Sequence, residues 1–218
     1  MRGGGVRGAL KPAFAGAAIL LLAASAVGQS GPRILYSKSF PGSTPSYVAI
    51  TLEQGGTATY TESKDDDPET LALESDAAAA IFDLAAKLDR FRRPLESGLK
   101  VANMGAKTFR WENGAENYET KFNYSLDENA RALQDWFEKI TESERAYLTL
   151  DRAVKHDRLG VHQAMLQLVS LWEQKRLVAT AQMLPLLDRV AKNEAFINMA
   201  RERATWLAGT IRARAKPE

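Results

Sequence analysis

The chain has 218 residues, no cysteine and a formal net charge of +2. Its length suffices for one sizeable domain or two small ones, and the lack of cysteine excludes catalytic thiols, zinc–thiolate sites and iron–sulfur clusters. Three of the 29 basic residues and none of the 27 acidic residues lie in the first 28 positions, so the remaining chain has a net charge of −1. That balance argues against a nucleic-acid-binding protein, which normally has a basic footprint.

The first 28 residues predict a secretory signal peptide. Arg2, Arg7 and Lys11 form a basic leader, residues 13–27 are uncharged and apolar, and Ala26 and Gly28 are small residues suited to cleavage before Gln29. The apolar core is shorter than the about 20 residues that a bilayer span needs. We expect a periplasmic or secreted protein with no stable membrane span after cleavage, and the alternative is a retained anchor.

Residues 33–124 have the two-residue period of strands. The sequence predicts strands at 33–40, 48–52 and 57–61 and a short one near Leu71. A three-residue loop at residues 54–56 would pair Leu52 with Ala58 and Ile50 with Tyr60, which places apolar side chains on one face.

Asn113-Gly114 predicts a second hairpin with a two-residue turn, which would place Phe109 opposite Tyr118. Aromatic residues then occupy one face of this hairpin and charged residues the other. That alternation is typical of an antiparallel sheet covered on one side only.

A helix between the hairpins is the predicted cover. It would begin at Asp76 with Ser75 as its cap and carry Ile81, Leu84, Leu88 and Phe91 on one stripe.

From Ser125 onward the apolar residues recur at helical spacing. Ser125 and Glu128 predict a capping box, Gly160 a helix stop, and Pro185 the start or a kink of a later helix. A last helix would begin near Glu194. The predicted fold class is therefore α+β, a small antiparallel sheet with one covering helix in domain 29–125, followed by a helical region of antiparallel helices at 126–218.

The residues that could support chemistry form no coherent catalytic, cofactor or metal site. His156 and His162 are six residues apart and lack the spacing of a helical zinc pair, so we interpret them as exposed. Asp65, Asp66 and Asp67 lack the spacing of a calcium loop and predict a solvated turn. For the three tryptophans in helical segments, at positions 136, 172 and 206, packing in the core or between helices is the expectation.

One segment without clear period, between Phe91 and Lys107, is a candidate binding loop. Six basic residues and a single acid lie between Arg90 and Arg110, and loops of this length are often functional. We predict that it contacts an anionic group through four side chains: Lys100, Asn103, Lys107 and Arg110. The alternative is that the arginines stabilise a helix C-terminus and that the lysines balance the negative charge of the acidic turn at residues 65–67.

Two segments resemble known families. Residues 40–47, followed by the strand to Leu52, the Gly55-Gly56 turn and Tyr60, resemble the opening of an exported bacterial domain family without an assigned activity, and this implies a fold but no catalytic residues. Residues 184–191 with the following helix are similar to a HEAT-type helical pair, which implies a scaffold for protein contacts.

Together these features predict a non-catalytic binding module of the bacterial envelope, whose partner is an envelope protein or an anionic ligand. Two alternatives stay open. One is a periplasmic hydrolase that uses carboxylates, and the other is an inhibitor-like domain that presents a hairpin to an enzyme.

Overall fold

A computed structural model describes Met1 and residues 31–215. Except for Met1, the predicted signal peptide at 1–28 lies outside the described residues. Six strands form one antiparallel sheet: β1 (Arg33–Ser39), β2 (Tyr47–Glu53), β3 (Thr57–Thr61), β4 (Glu69–Ala72), β5 (Ala106–Asn113) and β6 (Glu116–Phe122). Their order across the sheet is β4-β3-β2-β1-β5-β6.

The predicted hairpin of β2 and β3 is confirmed. Leu52 pairs with Ala58 and Ile50 with Tyr60, across the loop at residues 54–56. Gly56 has φ +92°, and a Cβ there would lie 2.9 Å from the Leu73 carbonyl oxygen, so this turn requires glycine.

The predicted register of β5 and β6 is wrong by two residues. Phe109 lies opposite Thr120 rather than Tyr118, and Asn113 pairs with Glu116, so the loop residues are Gly114 and Ala115. Of the turn residues only Gly114 has positive φ, and a hairpin turn with glycine at its first central position is of type II′ rather than the type I′ expected for Asn-Gly. A two-residue shift keeps every side chain on its face, so the apolar pattern could not distinguish the registers.

One face of the sheet is covered, as predicted. Ile34, Tyr36, Ile50 and Phe109 are at most 2% exposed, whereas the alternate residues of the same strands remain partly exposed. The predicted cover is α1 (Ser75–Lys87), and the structure adds a second helix that was not predicted there, the first half of α2 (Glu128–His156). Both share a hydrophobic cluster with the strands.

The covering helix α1 differs from its prediction at both ends. Its N-cap is Glu74, whose side chain does not cap the helix, and it ends at Lys87 rather than continuing to Phe91. Asp89, Arg90 and Phe91 follow with φ of 52°, 51° and 67°. This left-handed turn is unfavourable for residues with a Cβ, and it places the Phe91 ring 5.3 Å from that of Phe109.

The capping box predicted for α2 is not formed. Asp127 is the N-cap, and its carboxylate accepts bonds from the backbone N–H groups of Asn129 and Ala130. The Ser125 hydroxyl instead accepts from the Asp127 N–H.

Three further helices complete the chain: α3 (Gly160–Glu173), α4 (Leu184–Lys192) and α5 (Asn198–Arg214). Gly160 begins α3 instead of ending a helix, because α2 stops at His156. Pro185 lies in the first turn of α4, one of the two predicted positions. The last helix begins at Asn198, later than the predicted Glu194.

Two hydrophobic clusters meet along α2. Leu133, Phe137 and Ile140 belong to the cluster beneath the sheet, and Ala146 and Leu150 to the one among α3, α4 and α5. The predicted α+β class is confirmed. Within the described part of the chain, no helix is long and apolar enough to cross a bilayer.

Candidate functional site

The predicted binding loop is irregular between residues 92 and 105 and is held against the end of β6. The Asn123 side chain accepts from the Met104 N–H at 2.7 Å and donates to the Ala102 carbonyl at 3.0 Å. Glu96 accepts from the Asn123 N–H at 2.6 Å, and its pKa lies below the usual range chiefly because of that bond. The loop therefore has a defined conformation.

Lys107 of this loop region is buried rather than presented to solvent. It is 2% exposed, and its ammonium donates to the carbonyls of Met104, Gly105 and Asn123 at 3.3, 3.2 and 2.7 Å. Burial is the main cause that lowers its pKa, and the nearby charge of Lys38 adds to it. Since these three bonds use the three donors of an ammonium group, Lys107 supports the loop from within.

The arginines of the predicted loop pair with acidic and aromatic groups of neighbouring segments. Arg90 and Arg92 both contact Glu116, and Arg92 also lies over the Tyr118 ring at 4.5 Å. Arg93 binds Asp127 at 2.5 Å.

The structure brings only two of the four predicted contact residues together. Asn103 and Lys107 line one cleft of about 480 Å³. Arg110 donates to Asn117 at 3.0 Å and pairs with Glu112, while Lys100 is exposed.

A different cleft collects the three tryptophans of the helical segments. Trp136 of α2, Trp172 of α3 and Trp206 of α5 line a depression of about 630 Å³. Trp136 and Trp172 are half-buried, and Trp206 is 47% exposed. We call this site the tryptophan cleft. Its other lining residues are Lys139, Glu173, Lys175, Leu177, Val178 and Arg214.

Cations predominate around the tryptophan cleft, with three basic residues against one acid. The Lys139 ammonium lies 4.9 Å from the centre of the Trp136 ring, and the Arg214 guanidinium 5.8 Å from that of Trp172. Such contacts hold a cation in place by the negative potential of the ring face. Two tryptophans thus position charges, and Trp206 presents an accessible indole surface.

The connector between α3 and α4 forms one wall of the tryptophan cleft and is firmly anchored. Arg176 binds Glu142 through both carboxylate oxygens and Asp135 at 3.0 Å. The Val178 N–H donates to the Ser143 hydroxyl at 3.0 Å. Lys175 has φ 58°, a left-handed conformation that is uncommon for residues other than glycine. These contacts hold Lys175 and Val178 at the edge of the cleft.

The Glu74 side chain fixes the far end of the same connector. Its carboxylate accepts from the Ala179 N–H at 3.0 Å, the Thr180 N–H at 2.8 Å and the Thr180 hydroxyl at 2.7 Å. Sequence alone could not identify these bonds, because they join residues more than a hundred positions apart.

The sequence pattern does not predict the tryptophan cleft, because the apolar neighbours of the tryptophans favour packing in the core or between helices. One signal was present in the sequence. Trp206 falls off the apolar stripe of its helix, formed by Ala200, Ala204, Leu207 and Ile211, so it cannot face the core.

Of the two histidines predicted to be exposed, only His156 is exposed, at the end of α2. His162 is partly buried and contacts the Arg203 guanidinium at 3.2 Å. Within residues 31–215, no three or more histidine or acidic side chains are grouped to hold a metal ion.

Comparison with protein-family models, curated proteins and solved structures gives no significant match for this chain.

Proposed function

We propose that this chain is an exported, non-catalytic binding module of the bacterial envelope, and that its tryptophan cleft holds an anionic carbohydrate. The observation that carries this proposal is the convergence of three tryptophans from three helices on one open cleft bordered by three cations. Grouped exposed aromatic surface with a polar border is typical of a site that binds a ligand or partner.

A sugar ring matches the shape of this surface. The C–H face of a pyranose is flat and apolar, so it can stack on the accessible indole of Trp206, while its hydroxyl groups remain hydrated at the open side. A long alkyl chain would favour an enclosed apolar pocket, whereas this cleft is open and has charged residues on its border.

The charges favour an acidic sugar over a neutral one. Lys139, Lys175 and Arg214 face the cleft together with a single acid, Glu173. Because Lys139 also pairs with Asp135 at 2.8 Å, we expect Lys175 and Arg214 to supply most of the attraction for a carboxylate or sulfate. Of the four residues predicted from sequence, Lys100 and Asn103 remain a second hypothesis for the anion contact. Lys107 and Arg110 are bound by other groups of the protein itself.

The proposal can be tested by titrating the chain from Gln29 onward with uronic-acid oligosaccharides and their neutral counterparts. Binding should change the tryptophan fluorescence, be tighter for the acidic series and weaken as salt increases. Trp206→Ala should weaken binding by about tenfold or more, because it removes the stacking surface. Lys175→Gln should weaken it by about three- to tenfold and reduce the salt dependence.

Two matched variants serve as controls. Met199→Ala removes another exposed apolar side chain of α5 and should bind like wild type. Lys100→Gln removes a cation of the predicted loop. If Lys100→Gln loses binding and Lys175→Gln retains it, the ligand lies at the loop and the cleft proposal is wrong; equal affinity of Trp206→Ala and wild type would contradict it as well.

A further inference from the structure

Tyr36 carries a hydroxyl group without a partner. Its side chain is 2% exposed, and in the described part of the chain its oxygen is the buried side-chain polar atom that makes no hydrogen bond. The ring is fixed, because it stacks on Phe137 with centroids 4.7 Å apart. A buried polar group without a hydrogen-bond partner is unfavourable. A hydrogen bond from this hydroxyl to a ligand or a water molecule would remove that cost.

This hydroxyl belongs to a residue that lines a second cleft, on a different side of α2 from the tryptophans. The cleft has a volume of about 450 Å³ and lies between the end of β1, the loop before β2, and helices α2 and α3. We call it the tyrosine cleft, and its polar lining includes Tyr36, Lys38, Glu138, Glu142, Arg145 and Gln167. The volume is in the range of small-molecule sites.

Two of its four charged residues form ion pairs with residues outside the lining. Arg145 donates to the Thr44 carbonyl at 2.9 Å and pairs with Glu62 at 3.0 Å. Glu142 is held by both oxygens to Arg176.

The other two charges, Lys38 and Glu138, are only loosely joined to each other. The Lys38 nitrogen and a Glu138 oxygen are 3.7 Å apart, and both side chains are about one-third exposed. The same Glu138 oxygen also accepts from the Gln134 amide at 2.8 Å. Glu138 is close enough to Tyr36 for its charge, after burial, to raise the pKa of the hydroxyl. The ammonium of Lys38, the carboxylate of Glu138 and the neutral phenol of Tyr36 therefore belong to residues that line one cleft.

We propose that the tyrosine cleft binds a free α-amino acid. Its carboxylate would accept from Lys38 and from the Tyr36 hydroxyl, and its ammonium would bind Glu138. With Arg145 and Glu142 already paired, the remaining charges of the lining are Lys38 and Glu138, which are opposite and equal. This arrangement disfavours a ligand with only one charge and suits a zwitterion. This site is independent of the carbohydrate proposed for the tryptophan cleft.

Calorimetry of the chain from Gln29 onward with a panel of free amino acids tests the proposal. At least one should bind, and its analogues that lack the amino or the carboxyl group should bind at least tenfold more weakly. Tyr36→Phe removes only the hydroxyl and keeps the stack on Phe137, so binding should fall by about tenfold or more. The same variant without ligand should melt at an equal or higher temperature, because the unpaired group is gone.

Control variants separate a local effect from loss of the fold. Tyr47→Phe, on the adjacent strand but outside the lining, should bind like wild type. Lys38→Gln should lose affinity even if Tyr36→Phe proves unstable. Trp206→Ala should leave amino-acid binding unchanged, so failure at one cleft does not imply failure at the other.

Three results would overturn the inference. The first is no heat of binding for any amino acid up to about 10 mM, a concentration that would detect even weak affinity. The second is equal affinity of wild type and Tyr36→Phe, which would mean that water satisfies the hydroxyl. The third is equal affinity for an amino acid and its des-amino analogue, which would exclude recognition of a zwitterion.

Discussion

Glu144 of α2 carries a buried carboxyl group that links the stability of the fold to pH. It is 1% exposed between α2 and the short turn at Thr180–Met183, where the Gln182 amide donates to it. Burial raises its pKa from 4.5 to about 7, and the charge of Glu69 acts in the same direction. Its protonated form therefore fits the folded state better than its charged form.

The free energy of unfolding should accordingly fall with rising pH. Because the folded state holds the proton more tightly than the unfolded chain, the stabilisation is complete below pH 4.5 and is lost as pH rises through about 7. The loss should amount to about 3 kcal/mol. Glu144→Gln should remove this dependence and be more stable than wild type at pH 8, as measured by urea unfolding at several pH values.

The same helix offers a control for that measurement. Glu128 is an exposed residue of its first turn, and Glu128→Gln should leave the pH dependence as it is in wild type. An unchanged slope in Glu144→Gln would show that another group titrates.

Lys107 shows what could be predicted at the scale of a residue. The sequence predicts Lys107 as a ligand contact because it lies among other basic residues. Its alternation with Phe109 and Trp111, however, already placed it on the covered face of β5. Its three carbonyl partners could not be predicted, since they depend on how the loop folds over the end of the strand.

At the scale of elements, Glu74 connects the start of α1 to the connector between α3 and α4. Glu74→Ala would leave two backbone N–H groups and the Thr180 hydroxyl without their acceptor. We expect a loss of about 2–4 kcal/mol in the free energy of unfolding, because these bonds go to a charged group in a partly buried place. Chemical denaturation measures it.

A glutamate without such bonds gives the comparison. Glu53 is exposed at the end of β2, and Glu53→Ala should change the free energy of unfolding by about 0.5 kcal/mol or less. A similar small change in Glu74→Ala would mean that water replaces the carboxylate at no cost.

The elements themselves were predictable where local pattern determines them. Strand alternation and the spacing of apolar helix residues gave the strands, the covered face and the helical second half. The errors lie at turns and ends. The register of β5 and β6 depends on Gly114 in the turn. The end of α1 depends on the left-handed turn at residues 89–91. The first residue of α2 depends on Asp127 as its N-cap. In each case more than one turn register or helix end is compatible with the same pattern of apolar residues.

At the scale of the molecule, the predicted order of a sheet half followed by a helical half is correct in outline. The sequence could not show that α2 serves both hydrophobic clusters, because an apolar stripe does not reveal its partners. Nor could it show that the tryptophans of three helices meet, because this depends on how those helices pack. Both proposed binding sites adjoin α2 for the same reason, since this helix borders both halves.

The shared helix has a consequence for hydrogen exchange. Ser143 lies between Ile140 of one cluster and Ala146 of the other, so opening either half alone leaves it packed against the remaining one. We expect the amides of Ile50, Ser143 and Leu207 to exchange with one common free energy of opening, equal to that of global unfolding. A lower value for Leu207 alone would show that the helical half opens separately. In either case the amide of Ser143 would be among the last to exchange, and its rate would report the lifetime of the whole fold.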